Sequence, residues 1–214
     1  ALNHLIHTYG KPYIAFMDGI VMGGGMGISQ GGSLRIVTER TKMAMPETAI
    51  GLFPDVGGGY FLSRCPGAVG EWLGLTGDTI GAGDAVAFGL ADGCIPADQQ
   101  ADLWETLATT PFANVEALNA VVRARFVSAE PRLAAHRAEI DACFGLPSVA
   151  AIEQALLAGS DWAKAVAQTL RKRSPLMMHV VLEQIRRARK MTLAEDLRME
   201  RDMVRHCFYL RPGQ

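Results

Sequence analysis

Residues Tyr13 to Val37 read YIAFMDGIVMGGGMGISQGGSLRIV, and the order of residue types in this stretch decides the fold class. Tyr13 to Met17 follow Pro12 as a short apolar run that stops at Asp18-Gly19, the pattern of a buried strand ending in a turn. From Met22 to Gly32 the chain places six glycines in eleven residues, then runs straight into apolar Leu34-Arg35-Ile36-Val37, a second strand. Glycine loses more freedom on folding than any other residue, so a run this dense needs a physical reason. Strand, glycine-rich turn opening a short helix, and strand again make the first half α/β.

Working outward, Leu2, Leu5 and Ile6 fit a helix stopped by Gly10, and Met43-Ala44-Met45 predicts a brief third strand. The segment PETAIGLFPDVGGGYFLSR, from Pro46 to Arg64, holds two prolines, a second glycine triplet and two carboxylates, which is loop and helix-start chemistry. Helices are expected over 67–76 and 82–90. After Asp92-Gly93-Cys94-Ile95-Pro96 only helical periodicity remains, broken near Pro111, Pro131 and Gly145-Leu146-Pro147. Ser174-Pro175 sets an N-cap before proline at the first helical position. Thr192-Leu193-Ala194-Glu195 is a capping-box pattern, leading a helix expected to turn Leu193, Leu197 and Val204 inward. The domain reading is therefore an α/β unit over 1–96 and a helical region over 97–214.

The totals exclude several function classes. With 214 residues, 49% hydrophobic and a net charge of −1, the chain is ordinary for a globular protein and has no global attraction for nucleic acid or a membrane. Residues 171–214 carry 11 Lys/Arg against 5 Asp/Glu, a bias read as a solvated helix face. Its acids are interleaved with the bases and no aromatic series accompanies them, so nucleic-acid binding is not expected. Four widely spaced cysteines form neither a CxxC motif nor a disulfide scaffold, and fit a reducing compartment. His4 and His7 read as a helix surface rather than a metal pair, and no apolar run reaches membrane-spanning length. The chain opens inside a helical pattern with neither an initiator methionine nor a signal-peptide layout, which predicts sequence upstream.

The glycines fail both nucleotide motifs. Neither cluster runs into Lys-Ser or Lys-Thr, and from Gly25 the dinucleotide register finds Gly27 but then Gln30. What remains is a strand feeding glycines at a helix start, where free N–H groups and the helix dipole favour negative charge. Without Cβ atoms a substrate oxygen can reach those N–H groups, as an oxyanion hole requires. Close helix–sheet packing explains the same glycines equally well. Glu47 can complement a helix dipole and Asp55 can form a turn after Pro54. Both also lie among apolar and glycine neighbours, a poorly solvated setting suited to acid–base or nucleophilic work. Met26, Phe53 and Phe61 could line an acyl pocket, but each is read as core.

KPYIAFMDGIVMGGGMG, AMPETAIGLFPDVGGGYFLSR and LTGDTIGAGDAVAFGLADGCIP together resemble the crotonase superfamily, with the branch of 3-hydroxyisobutyryl-CoA hydrolases the most similar. The resemblance is specific from about Lys11 to Pro96 and looser beyond. It implies a spiral of ββα turns followed by helices, and an acyl-CoA thioester substrate hydrolysed in valine catabolism. CoA would be part of the substrate, with no further cofactor and no metal. It also implies the cytoplasm, or the mitochondrial matrix in a eukaryote, and is compatible with a homo-oligomer. Gly24 matches the residue whose N–H forms half of the family's oxyanion hole, with Gly23 beside it. Glu47 matches the carboxylate shared by hydratases and hydrolases, and Asp55 the acid typical of the hydrolases. Hydratases carry a second glutamate in a G-G-G-x-E arrangement, and here that position is Gly27, which argues for hydrolysis over water addition. The second oxyanion donor and much of the CoA-binding loop belong to a family segment preceding Ala1, and the hydrolases continue beyond Tyr209 to Gln214. The resemblance thus implies a chain short at both ends and impaired alone, since losing one oxyanion donor costs about 10²–10³ in turnover.

Overall fold

In a computed structural model that describes residues 2–210, the first half of the chain climbs in stacked turns. Strands β1 (Ile14–Met17) and β3 (Leu34–Val37) pair in parallel with Ile14 opposite Leu34, and β5 (Gly93–Cys94) continues the sheet with Ile36 opposite Gly93. A second parallel pair, β2 (Ile20–Met22) and β4 (Lys42–Ala44), sets Ile20 opposite Lys42. The orders β1-β3-β5 and β2-β4 show that each turn adds one strand to each sheet. Parallel neighbours require a crossover. Helix α2 (Gly24–Gln30) crosses between β2 and β3. A 3₁₀ turn (Glu47–Ile50), α3 (Gly58–Ser63), α4 (Val69–Thr76) and α5 (Ala82–Ala87) span from β4 to β5. Ahead of these, α1 (Leu2–His7) carries exposed His4 and His7 on its surface.

Two strands escaped the sequence reading. Strand β2 has three residues between Gly19 and the glycine triplet, and β5 has two, so neither is long enough to display an alternating pattern. Their partners define them: Met43 and Ile80 also exchange both N–H···O bonds at 2.9 Å.

From Gln100 the chain is helical. Helices α6 (Gln100–Thr109), α7 (Val115–Arg123), α8 (Arg137–Phe144), α9 (Val149–Ala158), α10 (Asp161–Leu170), α11 (Pro175–Ala188) and α12 (Leu193–Arg205) follow in order. The Ser174 hydroxyl caps α11 by accepting from Met177 N–H, and Thr192 with Glu195 forms the expected capping box of α12. One hydrophobic cluster runs from Met17 and Val37 through Trp72 and Leu75 to Val181 and Ile185; a smaller one gathers Leu34, Ile36, Ile95, Leu103 and Val122. Each large apolar side chain so buried contributes about 1.5–3 kcal/mol, which anchors α11 against α3 and α4.

The basic excess at 171–214 is only partly a solvated face. The Arg189 guanidinium meets buried Glu71 at 2.6 Å, Arg173 donates to the Thr76 carbonyl, and Arg186 donates to the carbonyls of Phe144, Leu146 and Pro147. The inward face of α12 also differs from expectation. Leu193 is buried, but Leu197 and Val204 are half-buried, and Asp196 and Glu200 take the interior positions. Residues 211–214, part of the segment where the resemblance expects the chain to stop short, lie outside the described residues.

Candidate active site

Glu47 opens the 3₁₀ turn directly after Pro46, and Gly51, in the left-handed region at φ 76°, closes it. The N–H groups of Gly51 and Leu52 both donate to the Glu47 carbonyl. Behind the turn, Thr48 Oγ1 donates to the Leu75 carbonyl of α4, and Ser174 N–H at the start of α11 donates to the Thr48 carbonyl. The backbone of Glu47 is therefore clamped between the spiral and the helical region. Its side chain has less company. The residue is 8% exposed, and among the described residues Oε2 has no hydrogen-bond partner. Burial lifts its pKa to about 7, the Asp55 carboxylate adds to the rise, and the residue's own backbone N–H opposes it. A carboxyl so placed exchanges a proton readily near neutrality.

The other carboxyl oxygen faces the first glycine triplet. A Cβ on Gly23 would lie 3.2 Å from Glu47 Oε1, and Gly23 sits at φ 50°, a conformation that glycine adopts without strain. Gly24 follows as the first residue of α2, where an N–H has no intrahelical acceptor. A Cβ on Gly24 would meet nothing within 4 Å, so the space in front of it is open. The structure thus brings the Glu47 carboxyl against the turn that presents the Gly24 N–H.

Asp55 lies half-buried in the turn before α3, with its pKa raised by burial. Its influence on Glu47 is electrostatic, a second carboxylate in a poorly solvated region disfavouring ionisation of the first. The next residue, Val56, has φ 56°, an outlier for a β-branched side chain. Gly27 explains how close this turn comes to α2: a Cβ there would stand 2.5 Å from Val56 Cβ and Cγ2. The position at which a hydratase carries its second acid is therefore filled by the neighbouring turn. Met26 and Phe53 are fully buried in the core and Phe61 is half-buried against it.

Sequence reasoning missed the groups that hold the Asp55 turn. Asn3 Nδ2 of α1 donates to the Val56 carbonyl at 2.5 Å. Gln184 Nε2 of α11 donates to the Pro54 carbonyl at 2.6 Å, and Glu200 of α12 accepts from Gly57 N–H at 2.8 Å and Gly59 N–H at 3.1 Å. A usable signal existed: Asp196 and Glu200 follow Leu193 by three and seven residues, the spacing of one inward helix face. Among the described residues there is no cluster of three or more His, Cys, Asp or Glu suited to a metal ion, and no helix is long and apolar enough to cross a membrane.

Stacked ββα turns that place a buried glutamate against a glycine-led helix start are the architecture of the crotonase class. The chain belongs to the enoyl-CoA hydratase/isomerase family, whose model matches residues 1–211. Among curated relatives it is 39% identical to the probable 3-hydroxyisobutyryl-CoA hydrolase 2 of Arabidopsis thaliana, over 96% of this chain and 56% of that protein. It is likewise 39% identical to the mitochondrial 3-hydroxyisobutyryl-CoA hydrolase of Xenopus tropicalis, over 96% of this chain and 55% of the relative. It is 37% identical to the small ribosomal subunit protein mS47 of Neurospora crassa, over 95% of this chain and 44% of the relative. Among solved structures, a carnitinyl-CoA dehydratase from Mycobacterium thermoresistibile superposes with a TM-score of 0.85 at 40% identity, covering 92% of this chain and 57% of that one. The chain spans about half the length of the curated relatives it matches.

Proposed function

We propose that the protein hydrolyses an acyl-CoA thioester, with a short branched β-hydroxyacyl-CoA such as 3-hydroxyisobutyryl-CoA as substrate, and that this chain carries its carboxylate machinery. The observation that carries the reading is the Glu47 carboxyl, buried, with Oε2 unpartnered among the described residues, set against Gly23 and poised near neutrality. The names of the two hydrolase relatives support the substrate class.

The thioester carbonyl oxygen would accept from the N–H of Gly24, so that charge developing there meets a fixed donor and the positive end of α2. Ionised Glu47 would then act in one of two ways. As a nucleophile it bonds to the carbonyl carbon, the C–S bond breaks, and CoA leaves as a thiolate that takes up a proton; water then opens the resulting anhydride and regenerates the carboxylate. As a general base it removes a proton from a water that attacks the same carbon, and passes it to the leaving sulfur. Asp55 would bind the substrate's β-hydroxyl or assist the proton transfer. CoA enters as part of the substrate and no further cofactor is invoked. A single turnover in ¹⁸O-water tests the anhydride: label found in the Glu47 carboxyl requires it, water having opened it at the Glu47 carbon.

A hydratase or isomerase is the second reading, favoured by the name of the dehydratase structure at 40% identity. Gly27 weighs against it, since neither a carboxyl nor room for one exists there. With the full-length protein, release of free thiol from a β-hydroxyacyl-CoA is expected. Loss of crotonyl-CoA absorbance without thiol release would overturn the hydrolase reading in favour of the second. A non-catalytic role, which the ribosomal relative illustrates, predicts neither signal.

A further inference from the structure

The two glycine triplets of this chain are alike in sequence and opposite in use. At 23–25 only Gly24 faces open space, with Glu47 beside Gly23. At 57–59 the N–H groups are already taken by the chain itself, those of Gly57 and Gly59 by a carboxyl and that of Gly58 by the Asp55 carbonyl. Glu200 accepts from Gly57 and Gly59, Asp196 Oδ2 accepts from Tyr60 N–H at 3.0 Å, and a Cβ on Gly59 would stand 2.4 Å from Asp196 Oδ1. These acids are in the interior: Asp196 is 0% exposed, Glu200 3%, and Gln184 beside them 2%. A buried pair of acids is costly unless it is partnered, so its presence here calls for a reason.

Its place in the chain supplies one. Gln184 holds the Pro54 carbonyl, one residue before Asp55, and Glu200 holds the Gly57 N–H, two residues after it. Gln184 Nε2 also reaches Glu200 Oε1 at 3.5 Å, joining the two grips. Between them lies Val56, whose left-handed backbone is disfavoured and persists only where its surroundings over-determine it. We propose that Gln184, Asp196 and Glu200 are positioning residues, which grip the backbone on both sides of Asp55 and hold its turn in the conformation that sets the Asp55 carboxyl beside Glu47. The role in turnover rests on the hydrolase reading above; the grip on the turn does not.

The chemistry of the pair is consistent with a grip. Asp196 and Glu200 lie one turn apart on the buried face of α12, and Asp196 Oδ1 has no hydrogen-bond partner among the described residues; two carboxyls can bond to each other only if they share a proton. Burial raises both, and the negative charge of Asp196 raises Glu200 further. A protonated Glu200 can donate to Asp196 while its oxygens continue to accept from Gly57 and Gly59. Glutamine keeps only part of this: its one carbonyl oxygen can accept from Gly57 or from Gly59, and its NH2 cannot accept from the other.

The test uses the full-length protein with Glu200→Leu, Glu200→Gln and Gln184→Leu. Amide hydrogen exchange at Gly57, Gly59 and Tyr60 is followed by NMR, and thiol release gives kcat and KM. Glu200→Leu is expected to speed exchange at these amides at least tenfold while α4 keeps its protection. It is also expected to lower kcat by roughly 10- to 100-fold, as displaced catalytic groups do, with KM changed less than about threefold. Glu200→Gln, which keeps one of the two acceptors, is expected to fall between the parent and Glu200→Leu in both readouts. Wild-type exchange and kcat in a folded Glu200→Leu protein would overturn the proposal, as would a Glu200→Gln protein no better than Glu200→Leu. If Glu200→Leu does not fold, Gln184→Leu carries the same expectations and the same refutation. If the parent releases no thiol, the hydrolase reading fails and the exchange data alone decide whether these residues hold the turn.

Discussion

Placing a methyl group on Gly27 is the sharpest perturbation this structure offers. A Cβ there would lie 2.5 Å from Val56 Cβ and Cγ2 and 2.9 Å from Asn3 Nδ2. Carbon atoms in contact prefer about 3.5–4.0 Å, so Gly27→Ala forces a displacement of at least roughly 1 Å. Val56 cannot yield freely, because it already sits at φ 56° with its carbonyl held by Asn3. Overpacking of this kind costs about 1–3 kcal/mol, and for a protein of this size each kcal/mol lowers Tm by about 2–4 °C. The displaced residue is the neighbour of Asp55, so kcat is expected to fall by roughly 10- to 100-fold with a smaller change in KM. The double variant Gly27→Ala/Val56→Gly removes both colliding carbons and the strained side chain. In a double-mutant cycle on full-length protein, read by chemical denaturation and thiol release, a favourable coupling of about 1 kcal/mol or more is expected. Effects that add to within about 0.3–0.5 kcal/mol would refute the contact and its consequence for Asp55. By the same reasoning, Gly27→Glu alone is expected to give no crotonyl-CoA hydration, the added carboxyl having nowhere to go while Val56 remains.

Glu47→Gln should remove thiol release by a factor of about 10² or more, with binding of substrate retained in calorimetry. Parent kcat should rise with pH through about 7 as Glu47 ionises, and the rising limb should vanish in Glu47→Gln. Because the folded pKa of Glu47 lies above its unfolded value, the stability from protonation is present below about 4.5 and lost as pH rises through about 7. Denaturant titrations should therefore find Glu47→Gln gaining on the parent at pH 8 relative to pH 5. Asp55→Asn removes a charge that raises Glu47, so the apparent pKa of the kcat profile should move down; an upward move would contradict the proximity. Gly23→Ala combines strain at φ 50° with a Cβ 3.2 Å from Glu47 Oε1. It should cost about 1–3 kcal/mol in stability and lower kcat more than KM rises.

What was legible in the sequence had local causes. The strands at 14–17 and 34–37, the glycine-led helix, the N-cap of α11, the capping box of α12 and the candidacy of Glu47 all follow from residues within a few positions of one another. Strands β2 and β5 were not legible, since a two- or three-residue strand is defined by a partner 22 or 57 positions away in register rather than by its own pattern. The same holds for the site. Asp55 could be proposed from its motif, but what constrains it comes from Asn3, Gln184 and Glu200, 53 to 143 residues from the atoms they hold. The two acids of α12 were hidden by a rule that is usually sound, that charged residues in a stretch rich in charge face water. Their spacing from Leu193 contradicted that rule, and the spacing was the better guide.

The contrast between the triplets follows from what each is given to bind. A helix start that exposes N–H groups attracts any nearby negative charge, whether from a ligand or from the chain itself. At Gly57 to Gly59 the chain supplies the charge, so that start becomes a structural joint between the spiral and α12. At Gly23 to Gly25 the nearest carboxyl is Glu47, which presents one oxygen to Gly23 and leaves the other unpartnered among the described residues. A carboxyl that satisfied itself on the Gly24 N–H would close the site and lose its raised pKa, because hydrogen bonds to the ionised form stabilise it. Glu47 is held back from that bond by a turn anchored at Gly51, Leu75 and Ser174. The energetic cost of burying an incompletely satisfied carboxyl is thus carried by backbone contacts made outside the site.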